Sequence, residues 1–196
     1  MFANRFTALI DACTLAGTLR RNLLLSLAEA EFFRIRWSEQ IMEETERAIN
    51  AILEGKNAPD AAERASRARK AMEGAFEEAM VFDFDLFLPA CGELPDPGDA
   101  HVLAAAIKTQ AAIIVTENLK DFPPAYLDRF GIEVRSADAF LANTIALDEG
   151  KAVAAIRIMR KRLKIPEKTP AILLLEMEAA GLTETVDVLR SHERSL

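Results

Sequence analysis

The chain has 196 residues, 51% hydrophobic and 28% charged, with a formal net charge of −7. That length and balance suit one substantial core, with room for an appendage, and exclude a disordered chain or two average-sized domains. The negative total excludes bulk attraction as the main source of affinity for nucleic acid, and apolar runs such as AAIIV and AILLL are far short of the roughly 20 residues of a membrane span.

FTALIDA, a short apolar run ending at Asp11, reads as a buried strand. From about Gly17 to Phe33 leucines recur at helical spacing. Ser38 is a natural N-cap for a helix through SEQIMEETERAINAIL that stops at Gly55. Asp60 and Glu63 in DAAE have the spacing of a capping box for a charged helix reaching about Met80. MVFDFDLF alternates apolar and acidic residues and suggests a strand or a partly exposed edge. An alanine-rich helix follows PDPGD, then a buried strand at AAIIV, a short helix around Pro123 to Phe130, and a strand at GIEVRS. Thereafter the chain reads as helical: Ala137 to Leu147, Lys151 to Lys164, a break at Pro166, a helix from Thr169 and Pro170 to Gly181, and a last one from Thr183.

Strands alternating with helices predict an α/β fold with a mainly parallel sheet covered on both faces. The expected division is an α/β domain over 1–140 and a helical C-terminal extension over 141–196. In such sheets ligands bind at the carboxyl ends of strands. Asp11 ends the first strand, and Thr116, Glu117, Asn118 and Asp121 follow the AAIIV strand, so these side chains can share one edge.

PDPGDAHVLAAAI is ambiguous. Asp96 as N-cap, Pro97 as first helical residue and Asp99 as an acid opposing the helix dipole account for it as a helix start. If the helix runs back along the sheet, simple topology puts Asp99 at the end opposite Asp11 and Thr116. Periodicity alone therefore does not bring Asp99 into a site.

Thiol and histidine chemistry have little support. Cys13 and Cys91 have no metal-binding spacing, and His101 and His192 stand in no motif. His101 is expected on the surface or in packing, and Cys13 in a small buried slot beside Asp11. Asp83 and Asp85 in DFDLF form a D-x-D like that of haloacid-dehalogenase-like phosphatases, but it lies mid-chain instead of after the first strand.

LIDACTL, RWSEQIMEETERAI, PDPGDAHVLAAAI and IIVTENLKDF, in this order and spacing, resemble the PIN-domain nucleases, especially the VapC-like toxins of type II toxin–antitoxin pairs. The four motifs span about residues 6 to 140. The resemblance implies a three-layer PIN-like sandwich whose acids meet in one pocket, bind Mg²⁺ or Mn²⁺, and hydrolyse RNA phosphodiester bonds. Asp11 matches the acid after the first strand and Asp99 the acid opening the alanine-rich helix. Glu44, with Glu43 as the adjacent alternative, matches the acid of the second helix. The fourth position falls on Asn118, with Asp121 able to supply a carboxylate nearby, and both are carried as candidates. Thr116 is expected to orient a ligand or water. Hard divalent cations prefer such oxygen donors.

The resemblance further implies an antitoxin partner and homodimerisation; the short apolar runs and the lack of a signal-peptide pattern at the start predict a cytoplasmic setting. An RNA substrate needs a basic surface near an acidic pocket. Arg157, Arg160, Lys161, Arg162 and Lys164 are the foremost candidates for phosphate contacts; a solvated helix face or a surface for an acidic partner would explain them equally. The alternative to a nuclease is a PIN-like scaffold that binds RNA or protein without cleaving.

Overall fold

The structure is a computed structural model that describes residues 6–164 and 166–196. The first five residues of the expected α/β domain lie outside that range. In chain order the elements are β1 (Thr7–Ile10), α1 (Ala12–Ala16), α2 (Thr18–Glu29), β2 (Arg34–Ser38), α3 (Glu39–Gly55), α4 (Ala61–Ala75) and β3 (Met80–Val81). They continue with α5 (Ala100–Lys108), β4 (Ile113–Val115), α6 (Pro124–Leu127), β5 (Glu133–Arg135), α7 (Ala137–Leu147), α8 (Glu149–Arg162), α9 (Pro170–Ala179) and α10 (Thr183–Arg190).

The five strands form one sheet in the order β3-β2-β1-β4-β5, and every neighbouring pair is parallel. Leu9 of β1 stands between Arg36 of β2 and Ile114 of β4. Ala8, Leu9, Ile10, Ile114 and Val115 are completely buried, as strands covered on both faces must be. From β1 the chain builds outward through β2 to β3 on one side, then crosses to β4 and β5 on the other. The order therefore reverses between β1 and β4, and in parallel sheets the carboxyl ends of the strands at such a reversal are where ligands bind.

The mid-chain helix α5 packs on β1, β2 and β4, with Val102 to Ala106 completely buried. A helix that leads into the next parallel strand runs antiparallel to the sheet, so it starts at the strands' carboxyl edge. This corrects the expectation that Asp99 lies at the opposite end from Asp11.

Several local expectations change. RIRWS adds a strand beyond those expected, its Ile35 and Trp37 buried while Arg34 is exposed. Ser38 caps α3 by accepting the Ile41 N–H at 3.3 Å. No capping box forms at Asp60, whose backbone is left-handed (φ 54°) and whose side chain caps nothing; α4 ends at Ala75 instead of Met80. The acidic alternation of MVFDFDLF pairs only over Met80–Val81, because Asp83 turns left-handed (φ 53°) and Asp85–Cys91 winds into a 3-10 helix.

Two compact units divide the chain: Met1–Gly17 with Arg34–Arg135, and Thr18–Phe33 with Ser136–Leu196. The first contains the sheet. Within it α3 packs on α1 and α4, and Arg69 of α4 bridges Glu46 at 3.4 Å and Glu73 at 2.7 Å and also pairs with Glu39. In the second, α2 packs on α7 and α8, and α10 on α7 and α9. The Phe33 and Phe140 rings meet edge to face at 4.9 Å. Asp138 accepts the Glu184 and Thr185 N–H groups at 2.9 and 2.8 Å, satisfying donors at the start of α10. Among the described residues, no helix is long and apolar enough to cross a membrane.

Candidate active site

The site begins where β1 stops. Asp11 is 4% exposed and is the N-cap of α1, accepting the Ala12 N–H on Oδ1 at 2.6 Å. Its Oδ2 accepts from the Thr116 hydroxyl at 2.7 Å and the Cys13 thiol at 3.1 Å. Thr116 follows β4, so the shortest of these bonds to Oδ2 crosses the reversal point of the sheet. The two donors are themselves anchored to the loop after β4: Thr116 Oγ1 accepts the Asn118 N–H at 3.0 Å, and Cys13 Sγ accepts the Glu117 N–H at 3.3 Å. Burial, reinforced by the charge of Asp11, pushes the Cys13 thiol up to about 11, so it stays neutral and able to donate. Thr116, expected to orient a ligand or water, spends its hydroxyl proton on Asp11.

Asp96 and Asp99 separate cleanly. Asp96 accepts the Gly98 N–H at 2.8 Å and caps a 3-10 turn over Pro97–Asp99 that leads into α5. Asp99 makes no side-chain capping bond. Its carboxyl is pushed up to about 6, first by burial and then by the negative charges of Asp11, Asp96, Asp121 and Glu44. Acids from β1, α3, the turn before α5 and the turn after β4 thus act on one carboxyl group. Carboxylates gathered this way disfavour one another's ionisation, and the most crowded one takes up a proton first.

Glu44 lies half-buried on α3, whereas its neighbour Glu43 is exposed. The Glu44 Oε1 atom is 3.4 Å from His101 Nε2 and 3.8 Å from Arg47. Of the two places expected for His101, surface or packing, the structure shows the buried one: it is 5% exposed and faces Glu44. Its position two residues after Asp99 was the available signal. Asn118 is exposed and uses its backbone N–H within the loop, whereas Asp121 is half-buried at the end of a 3-10 turn and adds to the charge felt by Asp99.

The donor set is chemically suited to a hard divalent cation: every acid offers carboxylate oxygen, and their mutual repulsion is felt at Asp99. Mg²⁺ is commonly held by one or two carboxylates, with waters and substrate phosphates completing the shell. Among the described residues, no group of three or more His, Cys, Asp or Glu side chains is arranged to hold a metal ion.

The candidate phosphate contacts lie on or just after α8. Arg157 and Lys161 are exposed and line a groove of about 550 Å³ with Val153, Ala154 and Ile158. Lys164 is exposed as well. Arg160 donates to the Lys168 carbonyl, and Arg162 forms a two-pronged pair with Glu29 at 2.8 and 3.1 Å, so both are partly committed.

The PIN domain family model matches residues 7–120, and the model of the VapC50 C-terminal domain matches residues 137–191. "Putative ribonuclease VapC50" of Mycobacterium tuberculosis (strain ATCC 25618 / H37Rv) is 41% identical over 76 residues, covering 39% of this chain and 45% of that protein. The match thus spans less than half the length of that relative. No solved structure matches. The region matched as a PIN domain is more than half of the chain and contains Asp11, Glu44, Asp99 and Thr116, and the chain belongs to the PIN domain family.

Proposed function

We propose that the chain is an Mg²⁺- or Mn²⁺-dependent endoribonuclease that hydrolyses RNA phosphodiester bonds and acts as the toxin of a VapC-type toxin–antitoxin pair. The observation that carries this reading is the convergence of acids on Asp99: beyond its burial, the charges of Asp11, Asp96, Asp121 and Glu44, from four separate segments, act on its carboxyl. Family membership and the likeness to the ribonuclease-named relative support it.

In this reading Asp11, Asp99 and Asp121 hold the cation, with Asn118 as a further ligand candidate. Glu44 adds negative charge beside it, with Glu43 a supporting acid farther into solvent. The bound cation supplies charge stabilisation to the phosphate and acidity to a water molecule. Asp11 contributes a carboxylate whose orientation is fixed by three donors, so little reorganisation is needed when substrate arrives. Thr116 and Cys13 keep that carboxylate in place, and their bonds to the loop after β4 hold Asp121's segment to the end of β1. Arg157, Lys161 and Lys164, with Arg160 and Arg162 after release from their present partners, provide phosphate contacts. An antitoxin that masks the acids with a basic side chain is the implied partner, and homodimerisation is part of the same reading.

The test is Mn²⁺-dependent cleavage of structured RNAs by the purified chain beside Asp11→Asn and Asp99→Asn. A loss of at least about 100-fold in each variant is expected for groups central to charge stabilisation. Equal activity in all three proteins would remove these acids from the chemistry. The second reading, a non-cleaving PIN scaffold, draws on the finding that no group of three or more His, Cys, Asp or Glu side chains among the described residues could hold a metal ion. RNA binding without turnover under any divalent metal would establish it.

A further inference from the structure

His101 is a buried imidazole that the chemistry above leaves unused. It sits in the first turn of α5, two residues after Asp99, with its Nε2 3.4 Å from Glu44 Oε1 on α3. Its Nδ1 is buried and has no hydrogen-bond partner. A neutral imidazole carries one proton, and which nitrogen bears it follows from the bond that the ring makes. A carboxylate oxygen can only accept, so contact with Glu44 is attractive when Nε2 carries the proton and repulsive when Nδ1 does. Arg47 reaches the same Oε1 from the solvent side. Both cationic or donor contacts therefore fall on one oxygen of Glu44, and Oε2 retains its lone pairs.

We propose that His101 is a positioning residue: it donates Nε2–H to Glu44 Oε1, ties α5 to α3, and fixes the Glu44 carboxylate with Oε2 available to the acidic crevice. The role differs from packing because it depends on a donor at one ring position. Partners of this kind, one bond removed from a metal, typically change metal affinity or activity by about 10–100-fold. The functional part rests on the nuclease reading; the hydrogen bond does not.

Two substitutions separate donor from bulk. His101→Leu keeps apolar volume and removes the donor, whereas His101→Gln places an amide N–H near the position of Nε2. Mn²⁺ affinity, read by electron paramagnetic resonance of the free ion, is expected to weaken about 10-fold in His101→Leu and to be largely restored in His101→Gln. In a Glu44→Gln background, His101→Leu should add little, because the bond it removes is already weakened. Equal affinities for wild type, His101→Leu and His101→Gln would overturn the positioning role, as would equal loss in both variants.

Nitrogen-15 spectra of the His101 ring decide the bond without any metal. The Nε2–H tautomer in wild type, lost or mixed with Nδ1–H in Glu44→Leu, is the expected result. A predominant Nδ1–H tautomer in wild type would overturn the proposal whatever the chain does to RNA. If wild type binds no Mn²⁺ and cleaves nothing, the nuclease reading fails while the tautomer still answers for His101.

Discussion

Asp99 is held in the fold against its own charge. Its carboxyl titrates near 6 in the folded chain against an ordinary value of 3.8, with burial as the main cause and the neighbouring acids adding to it. Because the shift is upward, the folded state binds this proton more tightly than the unfolded state. The associated stability is complete below about pH 3.8 and is lost as pH rises through about 6. Asp99→Asn removes the ionisation, so in metal-free buffer it should raise the melting temperature at pH 7.5 and lose that advantage by pH 4. Thermal unfolding at the two pH values checks this; a variant less stable than wild type at pH 7.5 would show that Asp99 is a structural acid. At this scale the sequence distinguished residue types and not surroundings. Asp96 was readable as a cap because a cap is a local bond. His101 was not readable as buried beside Glu44, because that contact joins two helices 57 positions apart.

The 3-10 turn over Pro97–Asp99 has two functions at the element scale: it begins α5 and delivers Asp99 to the strand ends. Asp96→Ala removes the acceptor for Gly98 and should cost about 0.5–2 kcal/mol, while Asp96→Asn retains a capping oxygen and most of the stability. Urea unfolding of the two variants measures the difference; equal losses would locate the effect in charge and not in the cap. Helix starts marked by Ser38, Ser136 and Thr169 are legible because each side chain accepts a backbone N–H three residues on. Asp60 has the same pattern and fails, since its left-handed backbone prevents the bond. Strand β2 escaped because RIRWS carries two arginines; its buried alternate residues, Ile35 and Trp37, identify it only once neighbours are known.

At the scale of the whole molecule, the proposed RNA substrate would meet a chain of net charge −7, so its affinity would depend on local cations. Arg157 and Lys161 are exposed on α8 and line the same groove. Arg157→Glu combined with Lys161→Glu should weaken RNA binding at least 10-fold and flatten its dependence on salt, measured by fluorescence anisotropy across a salt series. Unchanged affinity and slope would make this a solvated face. The parallel sheet was legible from the alternation of strands and helices, but the neighbours of each strand were not. The reversal of order between β1 and β4 is a long-range choice, and it is what sets Thr116 against Asp11. That order has a consequence for synthesis. β1, the first of the described strands, is the central one, and one of its edges waits for a partner that the ribosome adds only at Ile113–Val115. At ordinary elongation rates an apolar strand edge stays open for on the order of 10 s. Throughout that interval the nascent chain is a candidate for chaperone capture, and Asp11 lacks the hydroxyl that fixes it. A polypeptide released before Thr116 would carry Asp11, Glu44 and Asp99 but neither Asp121 nor the hydroxyl that holds Asp11.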